Sequence, residues 1–232
     1  MAKTCAIITG GSRGIGLAIA ERLADTGDIQ VVVCGRDADR LQQIAHPDIQ
    51  AQVCNVSREA DVLRLFETLD QSNMVPSILI NNAAVGIFGS IESTTLEDWE
   101  AVQAVNVRGA FLCTREAMKR MRLHGGGRII NIGSVVSLKG YPRQSAYTAS
   151  KHALLGLTKV TAVEGAEAGI IAQIICPGGV DTDMAGDARP DLDRSNLITP
   201  DDVADAVLFC LQQQGNAITD IVPIRRRTSQ PF

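Results

Sequence analysis

The stretch Thr4-Cys5-Ala6-Ile7-Ile8-Thr9-Gly10-Gly11-Ser12-Arg13-Gly14-Ile15-Gly16-Leu17-Ala18-Ile19-Ala20-Glu21-Arg22-Leu23-Ala24 joins an apolar run, a glycine cluster and a segment of helical period. That order predicts a strand, a tight turn and a helix. Glycine permits the turn and a close backbone approach to a pyrophosphate, while the free amides and dipole of the helix start favour negative charge. Such a pattern is weak alone. At the first strand-to-helix junction of an α/β chain it points to a dinucleotide site, because these ligands lie beyond the carboxyl ends of the strands. A turn that serves packing only is the competing reading.

Working outward, apolar runs rich in Val, Ile and Cys recur at 4–9, 30–34, 49–54, 77–81, 128–133, 170–176 and 218–224, separated by amphipathic stretches. Runs that are apolar throughout suit strands covered on both faces, and the alternation with helices suits right-handed crossovers. The expected fold is therefore a doubly wound α/β, Rossmann sheet of seven mostly parallel strands, with helices on both faces. No repeat, linker or composition break divides the 232 residues, so 1–232 is read as a single nucleotide-binding domain with the catalytic site built in. The segment 177–198, broken by Pro177, Gly178, Gly179, Gly186 and Pro190, is expected to be a substrate lid.

With 45% hydrophobic and 21% charged residues the chain is an ordinary globular protein, neither disordered nor collagen-like. A net charge of -4 gives no chain-wide attraction to nucleic acid or to an acidic membrane. Cys5, Cys34, Cys54, Cys113, Cys176 and Cys210 form no Cys-x-x-Cys pair and read as buried thiols of a reducing compartment. His46, His124 and His152 stand at no metal-ligand spacing, so no metal is expected. The N-terminal run is too short for a secretory signal, and no run reaches the roughly 18 apolar residues of a membrane helix. A cytoplasmic protein is expected.

The second strand ends Val33-Cys34-Gly35-Arg36-Asp37, the region that meets the adenosine ribose, where an NAD site usually places a carboxylate. Gly35 offers none, and Arg36 with Arg13 can clamp a 2′-phosphate, so NADP(H) is expected over NAD(H). Asp37 is read as the cap of the next helix. Two merely solvated arginines are the alternative.

Tyr147 and Lys151 lie four residues apart in a segment, 145–167, that reads as helix, so both side chains share one face. A neighbouring ammonium favours phenolate and would draw the tyrosine toward a working acid-base range. Ser134, at the end of the fifth strand, is placed to hold a carbonyl oxygen. Asn81-Asn82-Ala83-Ala84 closes the fourth strand, and Asn106 falls inside an expected helix, where an amide suggests a local kink or a water site.

Taken together, the Thr9–Gly16 turn, Asn81–Ala83, Asn106, Ser134, the Tyr147 and Lys151 pair, and Pro177-Gly178 with Val180-Asp181-Thr182 resemble the short-chain dehydrogenase/reductase family over nearly the whole length. Within it the chain is similar to 3-oxoacyl-[acyl-carrier-protein] reductase-like members. The resemblance implies that Tyr147 is the general acid, Lys151 binds the nicotinamide ribose and lowers the tyrosine pKa, Ser134 positions the carbonyl, and Asn106 supports a relay water. It implies nucleotide contacts from Gly10, Ser12, Arg13, Gly14, Ile15 and Gly16, then from Arg36, Asn55, Val56, Asn82 and Ala83. Tyr147, Lys151, Pro177, Gly178, Val180 and Thr182 complete the set. The implied activity is reversible NADPH-dependent reduction of a ketone or aldehyde, with a 3-oxoacyl thioester or a small 3-oxo or 3-hydroxy compound as substrate. Asn55 where the family often has Asp, Ala84 for a frequent Gly, Ile171-Ala172 for a common Arg-Val, and the missing C-terminal Asp-Gly-Gly are departures.

Two other classes are weighed: a non-catalytic NADPH sensor, and a nucleotide-sugar epimerase or dehydratase, which would need a larger C-terminal substrate domain. Trp99 is read as core packing and Arg225-Arg226-Arg227 as a solvated tail. Small residues along 148–168, among them Ala149, Ala153 and Gly156, would admit a partner helix, so a homodimer or homotetramer is expected.

Overall fold

The computed structural model describes residues 3–188 and 193–230. Strands β1 (Lys3–Thr9), β2 (Gln30–Gly35), β3 (Ile49–Val53), β4 (Met74–Asn81), β5 (Gly127–Ile132), β6 (Ile170–Pro177) and β7 (Ile221–Ile224) form one sheet in the order β3-β2-β1-β4-β5-β6-β7. Every neighbouring pair is parallel. The helices are α1 (Gly14–Ala24), α2 (Ala38–Gln42), α3 (Glu59–Gln71), α4 (Leu96–Gln103), α5 (Ala110–Leu123), α6 (Ser145–Gly165), α7 (Asp183–Ala188) and α8 (Pro200–Leu211). This is the expected Rossmann-like arrangement.

The uninterrupted apolar strands have a direct cause. Alternate residues of β1 face opposite layers: Ala6 and Ile8 pack with Ile19 and Leu23 of α1 and Val203 and Val207 of α8, while Cys5 and Ile7 pack with Phe66 and Leu69 of α3 and Cys113 and Met121 of α5. All six cysteines are free and buried. Chain order reverses between β1 and β4, so the loops that leave them diverge and open a crevice at the carboxyl edge.

Local signals set the helix ends. Asp37 caps α2 as expected, accepting from the Arg40 amide at 3.1 Å. Thr199 and Asp202 form a reciprocal capping box ahead of Pro200 at the start of α8. Trp99 departs from expectation. It is 38% exposed, because α4 buries only Val102 of its own residues and turns its first turns outward with Leu96. Residues 189–192 of the expected lid lie outside the described residues; the rest of 177–198 holds α7, a short turn at Arg194–Asn196 and a bridge from Val180 to Ile198.

Candidate active site

A cleft of about 740 Å³ runs along the carboxyl edge of the sheet. Gly35, Arg36, Arg40, Cys54, Asn55 and Val56 line it at the β2/β3 end, the glycine turn and Asn82-Ala83 in the middle, and Ser134, Tyr147, Lys151 and 177–185 toward β6. Every site residue named from the sequence lines this cleft except Gly16 and Asn106.

The floor is a braced turn. The amides of Gly10 and Gly11 donate to the Cys34 carbonyl at 2.7 and 3.2 Å, and Gly10 adopts φ +66°, a conformation that favours glycine. Asn82 Nδ2 donates to the carbonyls of Thr9 and Gly10 at 2.9 and 3.0 Å, while the amides of Asn82 and Ala83 donate to Thr9 Oγ1. The Asn82 amide is therefore a brace between the loops after β1 and β4. Gly16 lies behind the turn, where an added Cβ would meet the Gly10 carbonyl oxygen at 2.4 Å. No side chain caps the start of α1, and its first residues, Gly14 and Ile15, line the cleft.

The β2/β3 end carries three arginines. Arg36 is exposed and makes no ion pair or hydrogen bond through its side chain among the described residues. Arg13 is ion-paired with Asp183 of α7, and Arg40 reaches Asp37 at 3.2 Å and the same Asp183 oxygen at 3.4 Å. The Arg13 guanidinium is thus shared with a carboxylate that sequence reading left out, and so was Arg40. Asn55 Oδ1 accepts from the Ser57 amide and hydroxyl at 3.1 and 2.8 Å, which shapes the turn after β3.

At the other end Ser134 opens the short turn Val135–Ser137, its hydroxyl accepting from the Val136 amide at 3.3 Å, so its position is fixed just beyond β5. The Ser134 side chain is close enough to the Tyr147 phenol to favour its ionised form, and both line the same end of the cleft. One turn along α6, Lys151 is 2% exposed and donates from Nζ to the Ile132 carbonyl at 2.8 Å, with Nζ 5.6 Å from the centre of the Tyr147 ring. Phe88 packs edge-on against that ring at 5.6 Å.

The expected lowering of the tyrosine pKa is not what this geometry produces. Burial pushes the Tyr147 phenol up to about 12, with the Ser134 side chain pulling the other way. Burial brings the Lys151 ammonium down to about 8. The ammonium donates to a backbone carbonyl, and desolvation by burial is the leading influence on both groups. Tyr147 is held as a phenol, a proton donor beside a hydroxyl.

Asn106 sits in a π-helical turn, Ala104–Gly109, between α4 and α5, and is 2% exposed. Its Oδ1 accepts from the Val85 amide at 2.8 Å, and its Nδ2 donates to the Val85 carbonyl and to Ser150 Oγ at 2.9 and 3.0 Å. It stands behind the cleft wall and ties the loop after β4 to α6, so the kink expected in this helix is a π turn. A second buried array, missed from the sequence, links Asn81 of β4 to Asn131 of β5 at 2.8 Å and Asn131 to Thr158 of α6 at 2.8 Å. Arg226 also departs from expectation: it is half-buried and lines the cleft instead of forming solvated tail. Among the described residues no cluster of His, Cys, Asp or Glu could hold a metal ion, and no helix is long and apolar enough to cross a membrane.

Comparison with known proteins identifies the family of this frame. The short chain dehydrogenase family model matches residues 4–193. D-beta-hydroxybutyrate dehydrogenase of Rhizobium meliloti (strain 1021) is 38% identical over 227 residues, covering 94% of this chain and 87% of that one. The solved structure of ElxO with NADP bound superposes with a TM-score of 0.87 at 27% identity, covering 97% of this chain and 98% of that one. The 3-ketoacyl-(acyl-carrier-protein) reductase from Brucella melitensis complexed with NADH gives 0.85 at 28% identity, covering 96% of each chain.

Proposed function

The chain belongs to the short-chain dehydrogenase family and is an oxidoreductase, and from that premise we propose that it is an NADPH-dependent reductase of a ketone or aldehyde, reversible as an alcohol dehydrogenase. The observation that carries the reaction is the convergence of Ser134, Tyr147 and Lys151 on one end of a cleft whose floor is the glycine turn. A bound nicotinamide nucleotide supplies the hydride. The uncapped start of α1 and the backbone of Gly10 to Gly14 fit its pyrophosphate, and Asn55 and Val56 flank the adenine end.

Ser134 Oγ and Tyr147 Oη hold the carbonyl oxygen, and Tyr147 passes its proton to that oxygen as the carbon accepts the hydride, leaving the alcohol. Lys151 sits where it can hold the nicotinamide ribose and compensate the phenolate that remains. Asn106 acts as a positioning residue through Val85 and Ser150. The preference for NADPH is supported by Gly35, which offers no carboxylate to a ribose, and by the unpaired Arg36 with Arg13 and Arg40 close by. A 3-oxo or 3-hydroxy compound is the substrate favoured by the relatives' named activities.

The test is oxidation of NADPH and NADH against 3-oxoacyl thioesters, small keto acids, diketones and quinones, with Tyr147→Phe as control. Turnover with NADPH that vanishes in the variant, while nucleotide binding persists, is the expected result. Tight nucleotide binding with no turnover on any of them favours the sensor reading instead.

A further inference from the structure

The run Arg225-Arg226-Arg227 divides into three different placements. Arg225 is exposed and folds back on its own segment, donating to the carbonyls of Arg226, Arg227 and Ser229 at 3.2, 3.4 and 2.9 Å. Arg227 is exposed and lies close enough to Asp202 to stabilise its carboxylate. Arg226 alone is half-buried in the cleft, and its guanidinium has no ion pair or hydrogen bond among the described residues. Its cleft neighbour Arg194 is already ion-paired with Asp181. A half-buried arginine with no counter-charge among the described residues is a side chain that a bound anion would satisfy.

The sheet order decides which ligand carries that anion. Arg36 follows β2, beside the β3 edge, whereas Arg226 follows β7, the opposite edge. The amide of Gly178 donates to the carbonyl of Ile224 at 2.8 Å, which fixes the residues after β7 against the start of the loop after β6. A dinucleotide whose adenosine lies at β2/β3 would place its reacting ring beside Ser134 and Tyr147, after β5, two strands short of the β7 edge that Arg226 follows. We read what remains there as substrate space, with Leu197 packed close to Gly179 beside it.

We propose that the substrate is an oxo acid with a free carboxylate, which Arg226 receives at the β7 end of the cleft while Ser134 and Tyr147 hold the reacting carbonyl. The proposal rests on the reductase reading above and narrows its substrate class from thioester or small oxo compound to the anionic oxo acid.

Acetoacetate and its neutral counterpart methyl acetoacetate are the probes, compared in the wild-type protein, Arg226→Gln and Arg226→Lys. NADPH-dependent turnover of both is measured, together with equilibrium titration of acetoacetate into NADPH-saturated protein and the NADPH affinity of each variant. Losing a charge-assisted hydrogen bond should raise KM and Kd for acetoacetate roughly tenfold to a hundredfold in Arg226→Gln, with partial recovery in Arg226→Lys. Methyl acetoacetate kinetics and NADPH affinity should stay at their wild-type values. Equal losses on acid and ester, a fall in NADPH affinity, or no binding of acetoacetate to the wild-type complex overturns the proposal. Arg226-dependent binding of acetoacetate without reduction of either probe would overturn the reductase reading and leave the carboxylate seat standing.

Discussion

Asp183 of α7 is ion-paired with Arg13 of the glycine turn, joining positions 170 residues apart across the mouth of the cleft. Arg13, and after it Arg40, holds the Asp183 carboxyl below the usual carboxylate range. The same two guanidinium groups line the end of the cleft that the proposal assigns to the adenosine ribose, so this carboxylate would compete with a 2′-phosphate bound there.

Asp183→Asn should therefore tighten NADPH modestly, roughly two- to fivefold because the pair is exposed, with a smaller effect on NADH. Arg36→Ala should do the reverse and weaken NADPH by roughly tenfold or more while sparing NADH. Fluorescence titration of both nucleotides reads both changes. Equal shifts for the two nucleotides would mean that these residues act on the cleft as a whole and not on the phosphate.

Gly16→Ala should cost both binding and stability. The new methyl would lie 2.4 Å from the Gly10 carbonyl oxygen and 2.5 Å from Asn82 Nδ2, and neither is the free end of a flexible side chain. We expect a loss of about 1–3 kcal/mol of stability, with NADPH affinity falling as the turn is displaced. Gly156→Ala is the matched control within one protomer: it lies in α6 with nothing of its own chain within 4 Å of the added methyl. It should stabilise the protein by about 0.5–1 kcal/mol. Thermal denaturation of the two variants decides, and a Gly16→Ala protein that melts and binds like the wild type would remove the close-approach argument.

The pH profile of reduction should report Lys151 and not Tyr147. The phenol, pushed up to about 12, stays protonated across the neutral range, so proton donation has no limb there. The ammonium is lost as pH rises through about 8, and the reduction rate should fall with it. The same shift makes a stability statement. With a folded pKa of about 8 against the ordinary 10.5, the unfolded chain binds more protons between those values, so this group's contribution to stability rises with pH over that window. Lys151→Met should then be more stable than the wild type at pH 7, with the advantage shrinking above pH 8. A reduction rate that is flat from pH 6 to 10 would remove the ammonium from the mechanism.

The glycine turn, the seven strands and the Tyr147 and Lys151 pair were legible in the sequence because each depends on neighbours within a turn or a strand. Strands apolar on both faces betray a covered parallel sheet, and a spacing of four residues fixes a shared helix face whatever surrounds it. Arg40, Asp183 and Arg226 were not legible for the opposite reason. Their partners or their cleft are brought to them by the sheet order, and nothing within a few residues marks them off from solvated charges. Trp99 misled because the period of α4 identifies its apolar side without saying whether a neighbour covers that side. Asn106 was legible as an oddity in a helix; that its amide ties Val85 to Ser150 needed the fold.

The hydrogen-bonded array from Asn81 through Asn131 to Thr158 has a consequence for where the reaction happens. The attraction between aliphatic side chains is non-directional, so on its own it does not single out one position of a helix from another one turn, about 5.4 Å, along its axis. Amides need their own partners and tolerate no such slip. Thr158 lies on the same helix as Tyr147, so the array works as an index pin: it sets the longitudinal position of α6 on β4 and β5, and with it the distance from the phenol to Ser134.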